Sequence, residues 1–380
     1  MAGRPRWPQH VQPMSKGRVM TPRERVATAM RRGIPDRVPF IPQICLPHAV
    51  RMLGLDFEST LLDVIRNPLR MNALTFECVK RYGVDGLRAW MPGKPLDVMN
   101  VDGIWYGRAP ETGQRLGRVD FEGGGGVLPS EEPTIRCQED IDAIRVVPAD
   151  EILRSGQLDG IRAILKEARD NYFVISAPAV FTVEYLTFAR GKQQALMDLI
   201  DRPEFCHRAA QKATEVAIQQ GLALAAVGVH GIMIADVFGG VMSPAQFGEF
   251  CVAYFRQFVR ALRGRGPLIY MHVCGRSTGI LELMADSGVD CIEPLDPLGG
   301  VEVADAKRRV GHRVALMGGL DTRLLAHGTR QQVRRDAMRC LGEGMPGGGY
   351  ILACGDMLPT ETPPDTVRML VEMAGTVGRY

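Results

Sequence analysis

Pro267-Leu-Ile-Tyr-Met-His272-Val-Cys274-Gly275 is a short apolar run closed by a glycine turn, the pattern of a buried strand. Side chains alternate along a strand, so His272 and Cys274 point the same way where it ends. An imidazole and a thiol side by side make half of a zinc site, and packing alone does not require two such donors there. Outward from this stretch the chain repeats strand, then helix. Strands are expected at residues 38–44, 86–90, 173–176, 231–235, 268–272, 291–294, 314–317 and 350–353. Helical patterns lie between them, among them 61–81, 203–225, 244–262 and 364–376.

Eight strands each followed by a helix describe an α/β fold, the (β/α)8 TIM barrel. Thr21-Pro-Arg-Glu24 is a capping box that starts an N-terminal helical extension ahead of the first strand. Residues 91–147 read as a β-rich insertion after the second strand, with hairpins at 98–106 and 114–121 and a glycine run at 123–126. Residues 1–20, basic and proline-bearing, read as a disordered leader, and 21–380 as a single barrel domain. A doubly wound sheet is the alternative, but no GxGxxG follows a first strand.

A hydrophobic share of 46% and a charged share of 23% suit a globular protein with a large core. The formal net charge of +3, with basic residues scattered, argues against a nucleic-acid surface. None of the cysteines forms a CxxC pair, which suits a reducing compartment. The longest apolar run, 222–235, is too short to span a bilayer. The expectation is a cytoplasmic protein with neither a membrane nor a nucleic-acid partner.

In a barrel the chemistry sits where the strands end. Of the residues there, His48, Trp90, Glu184 and Asp356 read as substrate contacts. Asp236 and Glu293 read as catalytic, closing a metal's coordination or orienting His272 from behind. Asp236 serves a turn at Gly239-Gly240 equally well, and Asp321 has the default reading of a helix cap.

Several motifs together resemble the uroporphyrinogen decarboxylase-like superfamily. They are Thr21-Pro-Arg-Glu-Arg-Val26, Pro35-Asp-Arg-Val-Pro39, Ile232-Met-Ile-Ala-Asp236, Ser243-Pro244, His272-Val-Cys-Gly275, Gly349-Tyr-Ile-Leu352 and Thr362-Pro-Pro364. The resemblance covers most of the chain from Thr21 and is weakest in the insertion. It implies a (β/α)8 barrel and one of two chemistries. The decarboxylases use no metal and grip tetrapyrrole carboxylates through an arginine-rich segment after the first strand. Here that segment, Gln43-Ile-Cys-Leu-Pro-His-Ala-Val-Arg51, holds one arginine. The other branch comprises cobalamin-dependent methyltransferases, which bind zinc through His-x-Cys and a later cysteine. His272 and Cys274 match the first half.

For the second half, the family places a Gly-Cys pair close before the proline of the final loop. This chain reads Leu352-Ala-Cys354-Gly-Asp356-Met-Leu-Pro359. Either Cys354 is the third ligand from two residues earlier, or Asp356 replaces it as an oxygen ligand, or the site is lost. The resemblance implies zinc on His272, Cys274 and Cys354, and methyl transfer between a small methylated or thiol substrate and cobalamin. The chain has no Asp-x-His-x-x-Gly motif, so the cobalamin is expected on a separate corrinoid protein. A metal-free decarboxylase or lyase, and a non-catalytic tetrapyrrole-binding barrel, are the alternatives. Metal content and turnover tell them apart.

Overall fold

The computed structural model describes residues 19–121, 125–128 and 133–380. The expected leader up to residue 18, and residues 123 and 124 of the expected glycine turn, lie outside the described residues.

The strands in chain order begin with β1 (Gly86–Arg88), followed by the inserted β2 (Asp97–Val101), β3 (Ile104–Arg108), β4 (Arg115–Asp120) and β5 (Gly126–Val127). Then come β6 (Phe173–Ser176), β7 (Gly231–Ala235), β8 (Leu268–His272), β9 (Cys291–Leu295), β10 (Ala315–Leu320) and β11 (Tyr350–Cys354). β1 and β6 to β11 form one sheet in sequence order, with parallel pairing throughout. The expected strand at 38–44 is present as an extended segment rather than a ladder. It makes parallel bridges at Phe40↔Leu352 and Gln43↔Met357. The Ile41 N–H donates to Leu352 O on one side, and the Asp85 N–H donates to Phe40 O on the other. The segment thereby closes the sheet between β11 and β1 into a TIM-like barrel. Pro39 and Pro42 have no N–H to donate, which breaks the ladder into isolated bridges.

Alternation assigns the two faces. Phe173, Ile175, Tyr270, Cys291, Met317 and Ile351 pack together in the barrel interior with Val26, Ala29 and Met30 of the helix Pro22–Met30. That helix lies across the N-terminal end, where Arg23 N–H reaches Asp170 O just ahead of β6. Val174, Ile232, Ile234, Leu316 and Leu352 face the surrounding helices. Arg25 pins the plug: it bonds Asp36 and Asp85 at 2.7 Å each, and Asp85 also takes Arg37 and the Phe40 N–H.

The helix expected at 61–81 is two helices, Phe57–Arg66 and Leu69–Tyr82. Pro68 interrupts it, since proline cannot donate and pushes Asn67 out of helical geometry. Gly83, at φ +70°, ends the second helix as expected. The four-stranded antiparallel sheet of the insertion packs on the helix Phe57–Arg66, with Val98, Trp105, Val119 and Phe121 against Leu62 and Ile65. Trp105 Nε1 also donates to Glu58 Oε1 at 2.9 Å. Among the described residues no helix is long and apolar enough to cross a membrane.

Candidate metal centre

His272 closes β8 on the same face as Leu268 and Tyr270, so its ring enters the barrel. The parallel register sets it beside Glu293 of β9, two residues after the inward Cys291. Glu293 Oε2 accepts from His272 Nδ1 at 2.5 Å, and Oε1 accepts from Arg88 Nη2 at 2.7 Å. Arg88 Nε donates in turn to the Tyr270 hydroxyl at 2.9 Å. All four side chains are buried, so one hydrogen-bonded chain crosses the barrel from β1 to β8. A carboxylate only accepts, which puts the proton on Nδ1 and turns Nε2 toward the strand ends.

Burial alone would lower the His272 imidazole, but the Glu293 charge and the Cys274 thiol outweigh it and push it up to about 10. Burial raises the Glu293 carboxyl, and His272 with Arg88 more than reverse that, leaving it below its ordinary value. Burial likewise raises Asp356, whose carboxyl stays above the ordinary range although His272 pulls it down.

At the strand ends one donor atom each from His272, Cys274 and Asp356 lies within 4.8 Å of the others. His272 Nε2 is 3.8 Å from Asp356 Oδ1. The backbone around Cys274 is clamped. Gly275 has φ +73°, and a Cβ on Gly240 would stand 2.6 Å from Cys274 O. A Cβ on Gly299 would stand 2.0 Å from Gly275 O. The loops after β7 and β9 therefore press onto this turn at contacts only glycine permits, and they fix where the thiol stands. A nitrogen, a thiol and a carboxylate suit zinc, and a carboxylate behind the histidine is what fixes a ligand ring.

Of the two alternatives for the third donor, the structure groups Asp356, not Cys354, with His272 and Cys274. Cys354 follows Tyr350 and Leu352 on the outward face of β11, in the core beneath the helices. Burial pushes its thiol up to about 12. The chain then turns at Gly355 and brings Asp356 to the end of the barrel. Asp236 likewise continues the outward positions Ile232 and Ile234. It accepts from the Thr182 hydroxyl (2.6 Å), the Gly239 N–H (2.9 Å) and the Cys251 thiol (3.1 Å), bracing the turn after β7.

His48 has both ring nitrogens occupied, Nδ1 by Pro359 O at 3.0 Å and Nε2 by the Tyr82 hydroxyl at 2.9 Å. It ties the final loop to the helix Leu69–Tyr82. Trp90 is half-buried against the interior cluster, with its backbone held by Asn72. Glu184, buried at the start of the helix Glu184–Ala189, has an Oε2 with no hydrogen-bond partner. Burial first, and then the neighbouring Asp236, push its carboxyl up to about 8. Asp321 caps the helix Thr322–His327.

Sequence reasoning missed Arg88 and Tyr270. The signal was an arginine on a strand otherwise buried, because such a charge is retained only beside a partner.

A closed parallel barrel with a polar centre at the carboxyl ends of its strands is the class that these features define. Residues 113–377 match the family described as Uroporphyrinogen decarboxylase (URO-D), and the chain belongs to that family of enzymes. Uroporphyrinogen decarboxylase of Psychromonas ingrahamii is 27% identical over 265 residues, covering 68% of this chain and 73% of the relative. The Bordetella petrii uroporphyrinogen decarboxylase is 27% identical over 366 residues, covering 92% and 96%. Among solved structures, a methyltransferase from Methanosarcina mazei shares the fold, with a TM-score of 0.70 at 19% identity, over 94% of this chain and 99% of that one.

Proposed function

We propose that this protein is a zinc-dependent methyltransferase. It moves a methyl group between a small methylated or thiol substrate and the cobalamin of a separate corrinoid protein. The observation that carries the reading is the convergence of His272, Cys274 and Asp356 within 4.8 Å at the carboxyl end of the barrel. Zinc held by these three side chains supplies Lewis acidity to a substrate heteroatom. Glu293 holds a proton on His272 Nδ1, so Nε2 is the nitrogen that would ligate zinc, giving up its own proton as the metal binds. Cys274 and Asp356 supply the two anionic groups, and the glycine clamp keeps the thiol in place. Glu184, neutral at pH 7 because of its burial, adds no charge to the interior.

The relatives named uroporphyrinogen decarboxylase favour a second reading, a metal-free decarboxylase. Two features weigh against it. Arg51, the one arginine in the segment after the first strand, is exposed on the helix Leu46–Met52. Arg88, which does face inward, is already paired with Glu293.

Zinc per chain in protein purified without added metal tests the proposal, alongside His272→Ala, Cys274→Ala, Asp356→Ala and Cys354→Ala. About one zinc per chain, lost in the first three variants and kept in the fourth, is the expected result. A folded wild type that takes up no zinc when it is offered overturns the proposal and leaves the decarboxylase reading.

A further inference from the structure

Two buried polar atoms at the carboxyl end of the barrel have no hydrogen-bond partner: Arg88 Nη1, a donor, and Gln43 Oε1, an acceptor. Arg88 is 4% exposed and Gln43 6%. Native interiors satisfy nearly all such atoms, and a charged donor left unmet is among the costliest exceptions. The other two guanidinium nitrogens of Arg88 are taken up by Glu293 and Tyr270, so the direction of Nη1 is fixed.

Both atoms belong to one corner of the barrel. The Cys45 thiol lies beside the Gln43 side chain and in the field of Arg88, Asp356 and Glu293. Gln43 itself bridges to Met357, the residue after Asp356. This corner therefore adjoins the His272–Cys274–Asp356 group.

We infer that Arg88 Nη1 and Gln43 Oε1 form a recognition subsite for a small carboxylate that carries an O–H or N–H donor on the adjacent carbon. The carboxylate accepts from Arg88 Nη1, and the neighbouring hydroxyl or amine donates to Gln43 Oε1. A fixed cationic donor in a dry interior selects an anionic oxygen, since charge-assisted hydrogen bonds are the strong ones. The second group follows from Gln43, whose acceptor oxygen repels a bare carboxylate and requires a donor beside it. The inference deepens the methyl-transfer reading and rests on it for the reacting heteroatom, which the three metal-ligating side chains receive at the other end of the molecule.

Calorimetric titration with glycolate, acetate and glycolamide tests the subsite, on the protein as purified and after dialysis against a chelator. Glycolate is expected to bind at least ~10-fold more tightly than glycolamide, which lacks the charge, and several-fold more tightly than acetate, which lacks the donor. Arg88→Lys should weaken glycolate by ~10-fold or more, because an ammonium lacks the fixed fork. Gln43→Leu should erase the preference for glycolate over acetate. It changes no charge, so it stays informative even where Arg88→Lys lowers stability.

No detectable glycolate binding, equal binding of glycolate and glycolamide, or a preference over acetate that survives Gln43→Leu overturns the inference. Binding that vanishes on chelation and ignores Arg88 puts glycolate on a metal; it overturns the subsite and leaves the zinc reading standing. Arg88-dependent binding in protein that takes up no zinc even when it is offered keeps the subsite and removes the zinc reading.

Discussion

Glu293 touches His272 with one carboxylate oxygen, at 2.5 Å, and Arg88 with the other, at 2.7 Å. A single buried side chain therefore orients a donor ring and balances a buried guanidinium at once. The two tasks separate by substitution.

Glu293→Gln retains an amide oxygen that accepts from Nδ1 but removes the charge. Glu293→Ala also strands Arg88 without a counter-charge. Breaking a buried pair from one side costs about 3–5 kcal/mol, so the alanine variant should lose that much in urea unfolding and the glutamine variant less. Both should bind zinc about 10–100-fold more weakly in a competition titration with a chromophoric chelator. Unchanged zinc affinity in both variants would mean that the carboxylate serves the fold alone.

The same reasoning applies at the other end of the barrel. Asp85 is 1% exposed and joins Arg25 of the plugging helix, Arg37, and the Phe40 N–H of the closing segment. Asp85→Ala removes the shared partner of two arginines and the anchor of the eighth barrel position. A loss of about 3–5 kcal/mol is expected, read from the denaturation midpoint, with zinc content per folded chain unchanged. A loss under about 1 kcal/mol, the range of exposed pairs, would show that the network is solvated.

Much of the barrel was legible because its strands are short apolar runs bounded by glycine and followed by helical periods. The parts that were not legible have physical causes. Pro39 and Pro42 leave the first strand without a ladder, and Pro68 splits a pattern whose apolar spacing continues across it. His272 and Cys274 stood out because polar donors interrupt an apolar strand. Cys354 misled because Tyr350-Ile-Leu-Ala-Cys354 is apolar on both faces, so alternation does not show which residues look inward. Glu293 was visible as a strand-end carboxylate, but its partner Arg88 lies 205 residues away in sequence, and no local pattern pairs them.

The clamp on Cys274 gives a test away from any ligand side chain. Gly299→Ala places a methyl 2.0 Å from the Gly275 carbonyl oxygen, so the turn carrying Cys274 must move. Zinc binding should weaken by ~10-fold or more, as for other changes that act behind a ligand. Gly248→Ala is the control, because it sits in a helical segment with nothing within 4 Å of the added methyl. It should leave zinc unchanged and stabilise by about 0.5–1 kcal/mol. Equal zinc affinity in Gly299→Ala and wild type would remove the clamp from the account of the site.

Two buried groups tilt stability with pH in opposite directions. Burial and Asp236 push the Glu184 carboxyl up to about 8 from its ordinary 4.5. Between those values the folded protein keeps a proton that the unfolded chain has released. Its contribution is full below about pH 4.5 and is lost as pH rises to about 8. Burial lowers the His230 imidazole from 6.5 to about 4, and its Nδ1 accepts the Val174 N–H at 3.0 Å. Between about pH 4 and 6.5 the unfolded chain holds a proton that folded His230 does not, so this contribution is full above about 6.5 and is lost on acidification. Above pH 6.5 Glu184 acts without that opposition, and His272, pushed up to about 10, pulls the same way. Urea midpoints should therefore fall from about pH 6.5 to 8 in wild type, and Glu184→Gln should make that limb shallower. His230→Asn, which keeps an acceptor for the Val174 N–H, should reduce the loss of stability on the acid side. A limb that falls equally steeply in wild type and in Glu184→Gln would show that the carboxyl ionises normally and is reached by water.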